Sequence, residues 1–185
     1  KKYLLSEAQA RALTRALAPY TEPEEYGLHS VLNIYYDTPR FDLIRRSLEK
    51  PVYKEKFRLR CYGVPGAEST MFAEVKKKYR GVVYKRRVAG TPAEIAAFMD
   101  GQTLPGQDEL NQREIRCFLS RWQIAPRAFI AYDREAFLGK DDPGLRITFD
   151  RDLRYRTERL DLRAGDAGER FLTPERISMP DFDVD

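Results

Sequence analysis

The sequence predicts an α+β domain of mostly antiparallel strands, and three observations carry that prediction. Residues 54–62 and 144–150 alternate charged and apolar side chains with a period of two, as half-buried strands do. Arg80-Gly81 joins two strand-like runs so tightly that they read as a hairpin. Four further segments carry apolar residues at helical spacing, and two of these open on capping boxes.

In chain order, Lys2-Tyr3-Leu4-Leu5 is short and apolar and leads into Ser6, with Gln9 three residues later. That pair is a capping box, and Ala8, Ala12, Leu13 and Leu17 continue one helix face until Pro19 stops it. Residues 21–28, with three Glu and a Pro, are expected to be a loop. Residues 31–38 are rich in β-formers and halt at Pro39, which predicts a strand. Phe41, Leu43, Ile44 and Leu48 suit one short helix over 40–48, followed by a strand over 52–62 and a turn at 63–66. Residues 70–79 and 82–88 make the hairpin. Thr91 and Glu94 form a second capping box with Pro92 at the first helical position, and this helix ends before Gly101. Leu110, Ile115, Phe118, Leu119 and Trp122 predict a longer helix over 109–123. Strands follow over 127–137 and 144–150, and beyond 151 the text is polar and irregular apart from a short strand at 153–155. No repeat or internal boundary is visible. The expectation is one domain over 1–185, a fragment trimmed at both ends because it opens on Lys1 and stops abruptly.

Composition narrows the function classes. The chain is 42% hydrophobic and 34% charged, a globular balance. A net charge of +4 points to anionic partners only if the excess is concentrated somewhere. Cys61 and Cys117 form no metal-type cluster, which fits a reduced, cytoplasmic chain. With His29 alone, expected in a loop or on the surface, neither a multi-histidine metal centre nor a serine–histidine–acid triad is available. No run approaches 18 apolar residues, so no membrane segment is expected.

The excess charge is concentrated on strands. Lys54, Lys56, Arg58, Arg60 and Tyr62 share one face of theirs, with Phe57, Leu59 and Cys61 on the other. Glu74, Lys76 and Lys78 share a face, as do Lys85 with Arg87, Tyr132 with Arg134, and Arg146 with Thr148 and Asp150. On any one strand a solvated charged face explains the pattern equally well. Repetition argues otherwise, because solvated faces mix signs and here Glu74, Asp150 and Asp37 do so only sparsely. If the strands form one sheet, cations converge on one face and helices cover the other. Such a surface repels itself unless a polyanion neutralises it. The chain has no G-x-x-x-x-G-K-[ST] and no G-x-G-x-x-G loop, so side chains must hold the phosphates. Arg suits bidentate contacts and Lys acts as a point charge. Nucleic acid is disfavoured, since Tyr62 aside the tyrosines are not interleaved with the basic row for base stacking.

Seven pieces, in order along nearly the whole chain, resemble the polyphosphate polymerase (VTC) domain family. That family is a branch of the triphosphate tunnel metalloenzymes and is related to CYTH phosphatases. The pieces are Lys2-Tyr3-Leu4-Leu5, Ile34-Tyr35-Tyr36-Asp37-Thr38-Pro39, Lys56-Phe57-Arg58-Leu59-Arg60-Cys61-Tyr62-Gly63, Phe72-Ala73-Glu74-Val75-Lys76-Lys77-Lys78, Val83-Tyr84-Lys85-Arg86-Arg87, Ala131-Tyr132-Asp133-Arg134-Glu135-Ala136-Phe137 and Leu145-Arg146-Ile147-Thr148-Phe149-Asp150. The resemblance implies an antiparallel β-barrel with a basic tunnel inside and helices outside. It implies that Lys2, Arg58, Arg60, Lys76, Lys85, Arg87, Tyr132, Arg134 and Arg146 hold phosphate oxygens, with Arg58, Arg60, Lys76 and Arg134 carrying the catalytic neutralisation of charge. Glu74 would help with a divalent metal, Mn²⁺ or Mg²⁺, or orient a neighbouring lysine.

The implied activity extends polyphosphate from ATP. The alternatives are hydrolysis of tripolyphosphate or an organic triphosphate, and polyphosphate binding without turnover. Two departures stand out. The family's Glu just before the position matched to Lys2 is not present, and the closing Glu-x-Lys strand should begin where Pro180-Asp181-Phe182-Asp183-Val184-Asp185 ends the text. Both imply an incomplete tunnel and an impaired metal site. Lys54 and Lys56 have no match in the family's phosphate-binding set and are expected to be solvated rim charges.

Overall fold

The structure, a computed structural model, describes residues 2–142 and 144–170. Among the described residues, four α-helices, α1 (Glu7–Leu17), α2 (Asp42–Leu48), α3 (Pro92–Met99) and α4 (Glu109–Arg121), accompany eight strands. These are β1 (Thr21–Pro23), β2 (His29–Asp37), β3 (Tyr53–Tyr62), β4 (Met71–Tyr79), β5 (Val82–Gly90), β6 (Ala125–Gly139), β7 (Arg146–Arg156) and β8 (Glu169–Arg170). They form one antiparallel sheet in the order β5-β4-β3-β2-β6-β7-β8, with β1 pairing off β6. The α+β class is as expected. The barrel is a strongly curled half-barrel, with β5 and β8 at the ends of the strand path among the described residues. The expected closing strand near 180–185 lies outside the described residues.

The core lies between the sheet and the helices. Leu32, Ile34, Phe57, Leu59, Val75, Val88 and Phe129 from the strands meet Leu43 of α2, Ile95 and Phe98 of α3, and Ile115 and Phe118 of α4. Phe57 stacks on Phe118 with ring centroids 5.9 Å apart. Each fully buried phenylalanine contributes about 1.5–3 kcal/mol relative to exposure. On β3 the members of this layer are the odd positions, so Lys54, Lys56, Arg58 and Arg60 face away from the helices.

Local chemistry sets the helix ends. Both capping boxes form, Ser6 with Gln9 and Thr91 with Glu94. The helix α2 is capped from a distance. Asp37 accepts from the backbone N–H groups of Thr38, Leu43 and Ile44 at 2.7, 3.0 and 3.0 Å, which satisfies donors that a helix start leaves unpaired. Asp37 is therefore a buried cap and does not dilute the basic face. Buried Glu55 ties the end of α4 to β3, accepting from Trp122 Nε1 at 2.7 Å and Arg121 Nη1 at 3.0 Å.

Some boundaries differ from expectation. The predicted loop over 21–28 contains β1, whose Thr-Glu-Pro is too short and polar to show a strand pattern yet pairs with residues 137–139. Expected in a loop or on the surface, His29 instead opens β2, half-buried, with its ring edge-on to Tyr62. The two strands predicted at 144–150 and 153–155 are one strand, β7. It is broken in register opposite residues 131–133, with Asp152 at φ 49°, an αL position that Asp tolerates better than most residues. Arg80 and Gly81 both have positive φ, 47° and 86°, which suits the tight turn predicted there. No helix among the described residues is long and apolar enough to cross a membrane.

Candidate functional site

Strand register arranges the alternating cations into transverse rows. Lys56, Lys76 and Lys85 lie directly opposite one another across β3, β4 and β5. The next row runs Tyr35, Arg58, Glu74, Arg87 from β2 to β5, and the one after it Asn33, Arg60, Phe72. Like charges directly opposed on a sheet are destabilising, so the lysine row needs a counter-charge. Glu74, in the adjacent row, supplies part of it.

Glu74 is 2% exposed and holds three cations. Its Oε2 accepts from Arg58 Nε at 2.8 Å, and its Oε1 meets Arg87 Nε at 2.6 Å and Lys85 Nζ at 2.9 Å. Burial by itself raises the carboxyl pKa. The Arg58, Lys85 and Arg60 charges outweigh burial and bring it down to about 2. Lys85 moves the other way from most paired lysines. Burial lowers its pKa, Arg87 and Arg58 add to that, and the Glu74 contact does not fully offset them. Lys56, Arg58, Glu74, Lys76 and Lys85 line one narrow pocket. The pocket thus gathers four cations, Lys56, Arg58, Lys76 and Lys85, around one carboxylate, a local concentration of positive charge that favours an anion.

The two arginines of the Arg58-Leu59-Arg60 stretch are each held by a pair of groups from neighbouring strands. Arg58 donates to Glu74 and, from Nη1, to the Tyr35 hydroxyl at 3.0 Å. Burial raises the Tyr35 pKa, but the Arg58, Lys56 and Arg60 charges reverse it to a net lowering. Arg60 donates from Nε to Asn33 Oδ1 at 2.8 Å and from Nη2 to the Tyr132 hydroxyl at 3.1 Å, spanning β2 to reach β6. Arg87 lies over the Phe72 ring, 4.2 Å from its centroid.

Across the sheet the arginines are differently placed. Arg134 makes a bidentate pair with Asp150 at 2.7 and 2.8 Å, and Arg146 does so with Glu24 at 3.2 and 2.6 Å. Tyr132 lies under Arg134, its ring 5.1 Å from the guanidinium carbon, and its pKa is raised, chiefly by burial. Lys2 is exposed and lies in the non-helical segment before α1, outside the sheet.

Of the expected phosphate ligands, the structure thus brings together Arg58, Arg60, Lys76, Lys85 and Arg87, and joins Tyr132 to them through Arg60. Lys56 corrects the expectation. It is no solvated rim charge but lines the same pocket, because its register puts it opposite Lys76. Asn33 and Tyr35 were not singled out, although the alternation of residues 31–37 already placed them on one face. The tyrosines also correct the sequence reading, since Tyr35 and Tyr132 join Tyr62 on the basic face. Tyr35 and Tyr132, however, accept from arginines, and neither is an exposed stacking platform.

A divalent ion held at this site needs carboxylate oxygens that are free to coordinate it. Both Glu74 oxygens are engaged by cations, and no group of three His, Cys, Asp or Glu suited to a metal occurs among the described residues. In this arrangement Glu74 engages Arg58, Lys85 and Arg87, the contacts expected of a residue that orients a neighbouring lysine. The described side chains do not fit a metal cage by themselves.

A family model described as the VTC domain matches residues 1–184. No curated protein matches the chain. Among solved structures, the chain is similar to a Bacillus halodurans crystal structure proposed to be an adenylate cyclase. That likeness covers 81% of this chain and 78% of the other at 16% identity, with a TM-score of 0.48.

Proposed function

This chain belongs to the VTC domain family, and we propose that its basic groove binds ATP and polyphosphate and transfers phosphoryl groups between them. The observation that supports this reading is the excess of cations around Glu74. Arg58, Lys85 and Arg87 share one buried carboxylate and Lys56 and Lys76 line the same pocket, a density of positive charge that a chain of phosphates complements. Phosphoryl transfer asks little covalent chemistry of a protein, so positioning and charge neutralisation are the main contributions. In this reading Arg58, bonded to Glu74 and Tyr35, and Arg60, bonded to Asn33 and Tyr132, keep fixed geometry against phosphate oxygens. Lys56, Lys76 and Lys85 supply point charges along the chain of phosphates. A terminal phosphate oxygen of the polymer attacks the γ-phosphorus of ATP in line, the bond from that phosphorus to the β,γ-bridging oxygen breaks, and ADP leaves. Dependence on Mn²⁺ or Mg²⁺ is part of the proposal through family resemblance, and no step of it is assigned to a described carboxylate.

The test is incubation of the protein with ATP, with and without Mn²⁺ or Mg²⁺, followed by product analysis. Polymer supports the proposal. Free phosphate without polymer replaces it with a triphosphate hydrolase. Binding of polyphosphate with neither product replaces it with a binding module.

A further inference from the structure

Asn33 is 0% exposed at the middle of β2, opposite Arg60 on one side and Ile130 on the other. Its carboxamide is used at both ends. Nδ2 donates to the Ile130 carbonyl at 3.1 Å, and Oδ1 accepts from Arg60 Nε at 2.8 Å. A carbonyl can only accept and a guanidinium can only donate, so these two partners together suit an amide. Arg60 is itself 5% exposed. Its remaining side-chain partners are the hydroxyls of Tyr132 and Tyr62.

No carboxylate therefore touches Arg60 among the described residues. Its neighbours differ in this respect. Arg58 and Arg87 share Glu74, Arg134 has Asp150, and Arg146 has Glu24. A buried guanidinium with no carboxylate in contact is costly, and an aspartate at position 33, nearly the same size as asparagine, would relieve the cost. The neutral amide is thus informative. We propose that Asn33 is a positioning and specificity residue. It fixes Arg60 in the groove while giving its guanidinium no carboxylate in direct contact, so that a phosphate of the bound polyanion becomes its contacting counter-ion. This rests on the reading of the groove as a phosphate site and adds that Arg60 is its anchoring charge.

The experiment titrates inorganic tripolyphosphate by calorimetry into wild type, Asn33→Asp and Asn33→Ala, with folding checked by circular dichroism. The aspartate keeps an oxygen for Arg60 Nε and the alanine does not, so a purely structural role makes alanine the weaker binder. The proposal expects the reverse, with Asn33→Asp at least tenfold weaker than wild type and weaker than Asn33→Ala. Alanine weaker than aspartate, or aspartate within twofold of wild type, overturns it. If the new carboxylate prevents folding by facing the Ile130 carbonyl, the salt dependence of binding decides instead. Arg60→Gln is expected to flatten the slope of log affinity against log salt more than Arg146→Gln does, and equal slopes overturn the proposal. A wild type that binds no tripolyphosphate removes the phosphate reading of the whole groove. An unchanged Asn33→Asp in a binding protein removes this inference alone.

Discussion

The two sides of the groove both carry arginines from antiparallel strands, but they differ in what neutralises them. On the β3-β4-β5 side, three cations share Glu74 and three lysines oppose one another directly. On the β6-β7 side, Arg134 and Arg146 each have a carboxylate in bidentate geometry. An anion approaching the first side meets several cations gathered around one carboxylate. On the second it must displace a carboxylate that already makes two charge-assisted hydrogen bonds. An Arg at the right strand period therefore does not by itself distinguish the two sides. The local ratio of cations to carboxylates decides.

The largest expected effect tests the first side through its counter-charge. Glu74→Gln leaves Arg58, Lys85 and Arg87 without their shared carboxylate and is expected to lower unfolding stability in urea by about 3 kcal/mol or more. The same residue gives a pH signature. Its folded pKa, about 2, lies below the unfolded value of 4.5, so its contribution is complete above about pH 4.5 and is lost as pH falls towards 2. That component, on the order of 3 kcal/mol, should be present in wild type and missing in Glu74→Gln. Matching acid profiles for the two proteins would show that Glu74 is not what holds this side together.

A smaller effect separates the two sides directly. Lys76→Ala and Lys85→Ala are each expected to weaken tripolyphosphate binding about tenfold, the scale of one charged hydrogen bond, whereas Arg146→Ala changes it less than twofold. Equal losses at all three positions would erase the contrast. The smallest effect is a gain. Asp150→Asn removes the partner of Arg134 and is expected to raise tripolyphosphate affinity two- to fivefold. No change there would mean that Arg134 does not reach a bound anion, and a loss would mean that the pair itself is needed to shape the groove.

Much of the fold was legible because its signals are local. Alternation on residues 54–62 identified both faces of β3 correctly, and the capping boxes at Ser6 and Thr91 form as read. The elements that escaped have little local signal. Strand β1 is three polar residues stabilised by pairing with β6, and the second half of β7 follows a bulge that disguises its period. The role of Asp37 was hidden for a related reason, since its cap bonds reach residues six and seven positions further on.

The sequence by itself determined which residues share a face, because a strand turns successive side chains to opposite sides whatever surrounds it. On that basis it named Arg58, Arg60, Glu74, Lys76, Lys85 and Arg87 as one basic surface, and the family resemblance agreed. Only the tertiary structure decided which charges stand beside which carboxylates. Register, set by pairing between distant strands, places Lys56 opposite Lys76 and Asn33 opposite Arg60. The approach of β7 to β6 gives Arg134 the carboxylate of Asp150. Neutralisation depends on distances of a few ångströms between residues far apart in the chain, and strand period carries no information about those distances.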